Sequence, residues 1–263
     1  MTLAQAVADL EWYHTLELAP GIVTPGWMDT RPVAAAVPFG DLTGLRCLDV
    51  GTFDGFWAFE MERRGAAEVV AIDILDPEGW DWPYGSTAAV KAEIGRRKAL
   101  GRGFELARDA LGSQVDRRDT SVYDLDPDAH GRFDVVYLGS LLVHLREPIR
   151  ALERIRSVCA GRLIVVDAVD LLLSKLFPRR PLASLDGRGR PWWWSTNDAA
   201  LLRMIEVAGF AVVSGPDRVY VPAGAGQPVV SPRPKHLLTP QGRDGLVVAL
   251  RGAPHAVVAA RPH

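Results

Sequence analysis

The chain has 263 residues, 48% of them hydrophobic and 24% charged, with a formal net charge of −2 at neutral pH. This balance is that of a soluble globular protein and offers no bulk attraction to nucleic acid, although a local basic face is compatible with it. Two cysteines are too few for a metal cluster, no apolar run reaches the length of about eighteen residues that spans a bilayer, and the start lacks a basic region followed by an apolar one. A cytoplasmic protein without membrane association is therefore expected.

The length suits one or two domains, and a single α/β domain with added segments accounts for it. Residues 1–12 predict a helix with Leu3, Ala6, Val7 and Leu10 on one face. The alternating stretch 12–18 and the turns at Pro20-Gly21 and Thr24-Pro25-Gly26-Trp27 have no place inside a doubly wound core. Residues 1–44 are thus expected to form a helix and a lid segment packed over the carboxyl edge of a sheet built by residues 45–263. Tyr13, His14 and Trp27 then either wall a cofactor or acceptor pocket with aromatic rings, which favour a cation and exclude water, or anchor the terminal arm.

Residues 45–74 read as strand, glycine turn, helix, short loop and second strand ending in Asp73. An apolar run closed by Gly51 suits a strand buried on both faces, and the helical spacing of 56–64 stops at Gly65. Glycines at 51 and 55 allow close backbone approach and leave helix N–H groups near the turn. Asp73 follows Gly51 by 22 residues, about where an acid on the second strand accepts from both hydroxyls of a ribose. The dinucleotide fingerprint would need glycine at 53 and 56, and both positions are phenylalanine.

A loop at 77–85 follows, then helical spacing over 86–111 capped by Ser86 or Thr87. The basic residues Arg96, Arg97, Lys98, Arg102 and Arg108 are interleaved with Glu93, Glu105 and Asp109, which predicts a solvated helix face. Residues 115–125 hold the third strand and its exit, 133–140 the fourth, 161–169 the fifth, with a helix over 148–160 that takes in Cys159. The carboxyl end of a central strand is where acceptor chemistry occurs in such a sheet, so Gly139, Ser140 and His144 lie near it. His144 is either a general base or a histidine bonded to a loop carbonyl. Residues 170–191 carry Lys175, Arg179, Arg180, Arg188 and Arg190 before Trp192-Trp193-Trp194; they hold a planar or anionic acceptor, through Arg179 and Trp193 above all, or cap the sheet edge. Asn197 begins a helix through Ala208 and is placed with the acceptor-binding candidates. Short strands at 210–213, 219–221, 246–250 and 255–259 finish the chain, with a surface loop at 223–241.

Asp49-Val50-Gly51-Thr52-Phe53-Asp54-Gly55 resembles motif I of the class I S-adenosylmethionine (SAM) methyltransferases, with Phe53 in place of the middle glycine. The resemblance implies a Rossmann-like α/β fold with a seven-stranded, mostly parallel sheet, and SAM as cofactor with S-adenosylhomocysteine as product. It implies that Asp49, Gly51, Thr52, Phe53 and Gly55 form the methionine-side turn and Asp73 with Ile74 the ribose site. Asp119 would accept from the adenine amino group or cap a turn, Ser121 and Val122 would add backbone contacts, Gly139 would touch the cofactor and Trp27 would close over it. The pieces WYHTLELAPGIVTPGW, LDVGTFDGFWAFEMERRGA, FDVVYLGSLLVHLREPIRALERIRSV and WWWSTNDAALLRMIEVAGF are similar to the branch that holds the tRNA wobble-uridine methyl- and carboxymethyltransferases. Where carboxymethylating members carry a tyrosine before the fourth-strand histidine, this chain has Val143, which cannot donate to an extra carboxylate; ordinary SAM is expected. The longer N-terminal region of the tRNA enzymes is also not matched. Methyl transfer to a small acceptor such as a secondary metabolite, at oxygen before nitrogen or carbon, is expected ahead of tRNA, with a silent SAM-binding protein as the rival of another class. Base candidates are His144, His14 and Tyr13, and acceptor-binding candidates are Ser140, Arg179, Trp193 and Asn197.

Overall fold

A strand buried on both faces needs neighbours on both edges and helices above and below, and this is how residues 46–50 are placed. In a computed structural model, which describes residues 1–187, 191–227, 246–248 and 250–263, seven strands form one sheet. They are β1 (Arg46–Val50), β2 (Glu68–Asp73), β3 (Asp116–Asp119), β4 (Phe133–Gly139), β5 (Cys159–Ala168), β6 (Phe210–Val221) and β7 (Ala253–Pro262). Their spatial order is 3-2-1-4-5-7-6. The first five run parallel, and β7 inserts antiparallel to both β5 and β6. The order reverses between β1 and β4, which opens a crevice at their carboxyl ends.

Alternate residues of β1 serve opposite faces. Cys47 joins the core that holds Trp12, Phe39, Trp57, Met61, Phe104 and Tyr137. Leu48 and Val50 join the core of Phe133, Leu152, Ile155, Leu201, Ile205 and Phe210. The helices Phe56–Arg63 and Arg102–Leu111 cover the first face, and Pro148–Val158 and Asp198–Val207 cover the second. Each fully buried large side chain contributes about 1.5–3 kcal/mol, so both layers carry the stability of the sheet. Both cysteines are buried, and burial pushes the Cys47 thiol up to about 12 and the Cys159 thiol up to about 11.

The expected elements through the fifth strand are present, and four details of the chain differ. Cys159 opens β5 and is not in the preceding helix, which ends at Val158; the apolar run at this junction suits either element. The helical stretch over 86–111 is two helices, Ala88–Lys98 and Arg102–Leu111. Ala99, Leu100 and Gly101 between them all have left-handed φ, of 48°, 53° and 80°, at a cost of about 1–2 kcal/mol for each non-glycine residue. The Arg117 guanidinium holds the break by donating to the Gly101 carbonyl at 2.9 Å. Finally, the strand expected at 246–250 is helical at 246–248 and 250–251, because a short apolar run does not distinguish helix from strand; the two strands expected at 210–213 and 219–221 are one, β6. Most of the loop expected at 223–241 lies outside the described residues.

The N-terminal arm docks on the sheet's carboxyl edge. Its strand Trp12–His14 pairs in parallel with Gly26–Met28, and the indole N–H of the buried Trp12 donates to the Val7 carbonyl at 3.0 Å.

Candidate active site

The turn after β1 depends on two glycines for different reasons. Gly51 has a φ of 78°, and a Cβ there would lie 3.2 Å from a methyl of Leu141. Its N–H and that of Thr52 donate to the Ile72 carbonyl at 2.9 and 3.1 Å, tying the turn to β2. Gly55 has a φ of 91°, and a Cβ there would meet the Phe59 ring at 2.5 Å and the Phe104 ring at 2.8 Å. Gly55 is therefore demanded by helix packing beneath the turn, a constraint the motif alone does not reveal. Phe53, at the position of the absent middle glycine, adopts a φ of 49°. Its N–H donates to Asp73 Oδ2 at 2.7 Å, and its ring lies 5.2 Å from that of Tyr13.

Asp73 ends β2, and Lys98 forms an ion pair with the same Oδ2. Lys98 has 1% of its side chain exposed, and its ammonium also stands 4.6 Å from the Phe53 ring centroid. Arg97 is buried too, with its guanidinium 3.2 Å over the Trp27 ring. The expectation of a solvated basic face is thus wrong for these two residues: the helix turns them inward over acid and aromatic partners. On β3, Asp119 Oδ1 accepts from the Leu75 N–H at 3.0 Å, Ser121 caps the short turn Val122–Asp124 through the Tyr123 N–H, and Val122 is buried. The Ile74 carbonyl accepts from the Trp80 indole at 3.1 Å.

Asp54 fastens the arm to the turn. Its Oδ2 accepts from the N–H groups of Tyr13 at 2.6 Å and His14 at 2.9 Å. Burial raises this carboxyl to about 6, against the lowering effect of those two bonds. Asp49, under the turn, is raised to about 7 by burial, with the Thr52 hydroxyl opposing and the Asp73 charge adding; its Oδ2 is buried without a hydrogen-bond partner. Asp167, near the end of β5, is also raised to about 7 by burial, while the N–H groups of Leu142, Ala168 and Leu141 bind it. His14 is buried and pushed down to about 3, first by desolvation and then by Lys98, so its imidazole is neutral. Its Nδ1 also lacks a partner. Burial likewise raises Tyr13 to about 12, leaving the phenol protonated.

At the end of β4, a Cβ on Gly139 would meet the Tyr137 hydroxyl at 2.6 Å. Ser140 follows with a φ of 49°. Its Oγ lies 2.9 Å from His255 Nε2, and His255 Nδ1 lies 2.9 Å from the Ala253 carbonyl. A carbonyl only accepts, so neutral His255 carries its proton on Nδ1, and the Ser140 hydroxyl donates to Nε2. The Ser140 hydroxyl also lies near Tyr13, where it opposes the effect of burial on the phenol. Three neutral groups from the arm, β4 and β7 are thereby brought together.

Other expected residues are placed elsewhere. His144 Nδ1 bonds the Pro191 carbonyl, and its ring meets Trp192 edge-on at 5.7 Å. Trp193 spends its indole N–H on the Asp81 carbonyl at 2.7 Å and carries the Arg146 guanidinium 5.0 Å over its ring; it docks this segment onto the loop after β2. Asn197 is fully buried, and its assignment to acceptor binding is corrected. Its Oδ1 accepts from Ala200 and Leu182, and its Nδ2 donates to the Phe177 and Arg180 carbonyls, which exhausts the side chain. Lys175, Arg179 and Arg180 are exposed, and Arg188 and Arg190 lie outside the described residues. Sequence reasoning missed Asp54, Asp167, Lys98 and His255 as site residues. A carboxylate closing an apolar strand, as in GRLIVVDAV, is a signal that could have found Asp167.

A family model described as a methyltransferase domain matches residues 26–214. No curated protein matches the chain. Among solved structures, a Burkholderia thailandensis 1,6-didemethyltoxoflavin-N1-methyltransferase with bound 1,6-didemethyltoxoflavin and S-adenosylhomocysteine is similar at 17% identity and a TM-score of 0.55, over 89% of this chain and 77% of that one. The N-terminal domain of EvdMO1 with S-adenosylhomocysteine bound is similar at 17% identity and a TM-score of 0.56, over 99% and 96%. Synechocystis magnesium protoporphyrin IX methyltransferase is similar at 18% identity and a TM-score of 0.51, over 88% and 80%. At these identities the likeness establishes the fold.

Proposed function

Because the chain belongs to the methyltransferase domain family and is a SAM-dependent methyltransferase, we propose that its acceptor is a small molecule, methylated first of all at oxygen. The observation that carries this reading is the docked arm: Asp54 holds Tyr13 and His14 across the glycine turn, so the reaction site is walled by aromatic rings. Similar structures whose bound or named ligands are 1,6-didemethyltoxoflavin and magnesium protoporphyrin IX support it. Residues 1–44 serve as the lid of a single domain in this proposal. The tRNA wobble-uridine alternative draws on the basic residues of 175–190, of which Lys175, Arg179 and Arg180 are described and exposed.

The residues present suit the cofactor. An unpartnered buried carboxylate oxygen on Asp49 and acids at 54, 73 and 167 favour a ligand that carries positive charge and hydroxyls. Asp49, Gly51, Thr52, Phe53 and Gly55 would line the methionine side, and Asp73 and Ile74 the ribose. Asp119, Ser121 and Val122 would meet the base, with Gly139 and Trp27 at the margins. When bound, SAM supplies an activated methyl on its sulfonium. For an acceptor hydroxyl, the chain's own base is the Ser140–His255 pair: neutral His255 Nε2 takes a proton through the Ser140 hydroxyl, and Tyr13 positions Ser140. Burial lowers His255 as well, with the Ala253 carbonyl bond opposing, but its Nε2 faces the Ser140 hydroxyl; His144 is turned to the Pro191 carbonyl, and His14 is pushed down to about 3 by burial and by Lys98.

His255→Asn is expected to lower turnover by about 100-fold or more, the scale of general base catalysis, with S-adenosylhomocysteine affinity unchanged. An unaltered pH–rate profile in that variant would move the base elsewhere. The raised carboxyls make a second expectation. Asp49 and Asp167 hold protons up to about pH 7, and a cation beside them favours the ionised form. SAM binding should therefore release protons and tighten from about pH 6 to about pH 8, more than S-adenosylhomocysteine does; calorimetry in buffers of different ionisation enthalpy checks this. The reading as a whole is tested by methyl-labelled SAM with a metabolite extract and, separately, undermethylated tRNA. Label in the low-mass fraction supports it, label released only by RNase replaces it with the tRNA reading, and binding without transfer to either favours a silent binder.

A further inference from the structure

Arg97 is 8% exposed, yet it has no anionic contact among the described residues. Its guanidinium carbon lies over the Trp27 ring at 3.2 Å from the centroid, and its Nε is buried without a hydrogen-bond partner. The flanking cations are paired: Arg96 reaches Glu11 at 3.7 Å, and Lys98 reaches Asp73. Arg97 itself makes no ion pair among the described residues. The groups whose charge reaches it through space are Glu11, Glu93, Tyr13 and Asp54. Tyr13 is protonated, and Asp54 Oδ2 is committed to the arm's N–H groups. A guanidinium largely withdrawn from water, with its Nε buried and its fork left without a partner, is costly, and a planar carboxylate is the group that matches its geometry.

We propose that Arg97, held against Trp27, is the receptor for a carboxylate carried by a bound ligand: the α-carboxylate of the cofactor's methionine arm or a carboxylate on the acceptor. The proposal rests on the cofactor lying along the glycine turn, because Asp54 and Tyr13, which reach Arg97 from opposite elements, belong to that turn and to the arm docked on it. Trp27 sets the plane of the guanidinium, and the Lys98–Asp73 pair keeps the neighbouring cation out of competition.

The test titrates the full chain and its Arg97→Met variant with S-adenosylhomocysteine, with methylthioadenosine, which lacks the amino-acid arm, and with benzoate on cofactor-saturated protein. A loss of tenfold or more in S-adenosylhomocysteine affinity, with methylthioadenosine unaffected, identifies the cofactor's carboxylate. Unchanged nucleoside affinities with benzoate binding abolished identify an acceptor carboxylate. If the substitution alters neither S-adenosylhomocysteine nor benzoate binding, the proposal is overturned. Should Arg97→Met also lose methylthioadenosine, Arg97→Lys decides by the same criteria, since it keeps the charge and removes the fork. Failure of the wild-type chain to bind either nucleoside overturns the placement of the cofactor itself, a result distinct from the others.

Discussion

Asp73→Ala is expected to weaken S-adenosylhomocysteine binding by about 100-fold and to destabilise the chain by about 3–5 kcal/mol, the scale for stranding one member of a buried ion pair. The two effects have separate origins. In the proposed site the carboxylate accepts from the ribose hydroxyls, and losing charged hydrogen bonds of that kind costs about 1.5–3 kcal/mol each. In the fold, the same carboxylate neutralises Lys98, whose side chain is 1% exposed, and accepts from the Phe53 N–H. Its removal strands a buried ammonium. Lys98→Met in the Asp73→Ala background should recover most of the stability, since the stem fills the same space without the charge, but none of the affinity. Denaturant titration and calorimetry on the single and double variants measure the two quantities independently. If Asp73→Ala unfolds at the wild-type denaturant concentration, Lys98 is not held by this pair; if affinity also survives, the ribose lies elsewhere.

Asp54→Ala should cost about 2–4 kcal/mol and release the arm. The loss leaves the N–H groups of Tyr13 and His14 without their acceptor, at about 1–3 kcal/mol for each that cannot reach water. Asp54→Asn retains an accepting oxygen and should lose less. Amide exchange at Tyr13 and His14 is expected to accelerate in Asp54→Ala while that of β1 stays slow, which separates arm release from general unfolding. Methyl transfer should fall further than S-adenosylhomocysteine binding, because Tyr13 and the Ser140–His255 pair come out of alignment while the glycine turn remains. Equal losses in both would mean that the arm serves cofactor binding rather than the acceptor.

The sheet was legible because its signals are local. The residues of β1, the turn at Gly51 and Gly55 and the acid ending β2 lie within thirty residues of sequence, and β1, β2, β4 and β5 each carry an apolar run, whereas β3 is Asp116-Arg117-Arg118-Asp119 and has none. What could not be read there depends on contacts between distant residues. Arg97 and Lys98 look like any interleaved basic stretch until the left-handed break at Ala99–Gly101 turns their helix onto Trp27 and Asp73. His255 lies on the last strand, 115 residues from Ser140, and only the insertion of β7 beside β5 brings the two together. Asn197 shows the converse: its residue type suits both a cap and a polar ligand contact, and besides the local cap to Ala200 the three bonds that exhaust it come from chain it meets only on folding.

The two buried thiols have a use beyond packing. Cys47 is the second residue of β1 and Cys159 opens β5, and with pKa values of about 12 and 11 neither offers thiolate to a reagent while the sheet is closed. They stand on the two strands that flank β4 and belong to the core layers on opposite faces of the sheet. Their alkylation rates in native buffer therefore read out two separate opening events, one for each layer, without any label being introduced. A cysteine placed on the arm would react orders of magnitude sooner, so the native pair also provides a silent background for following that segment alone.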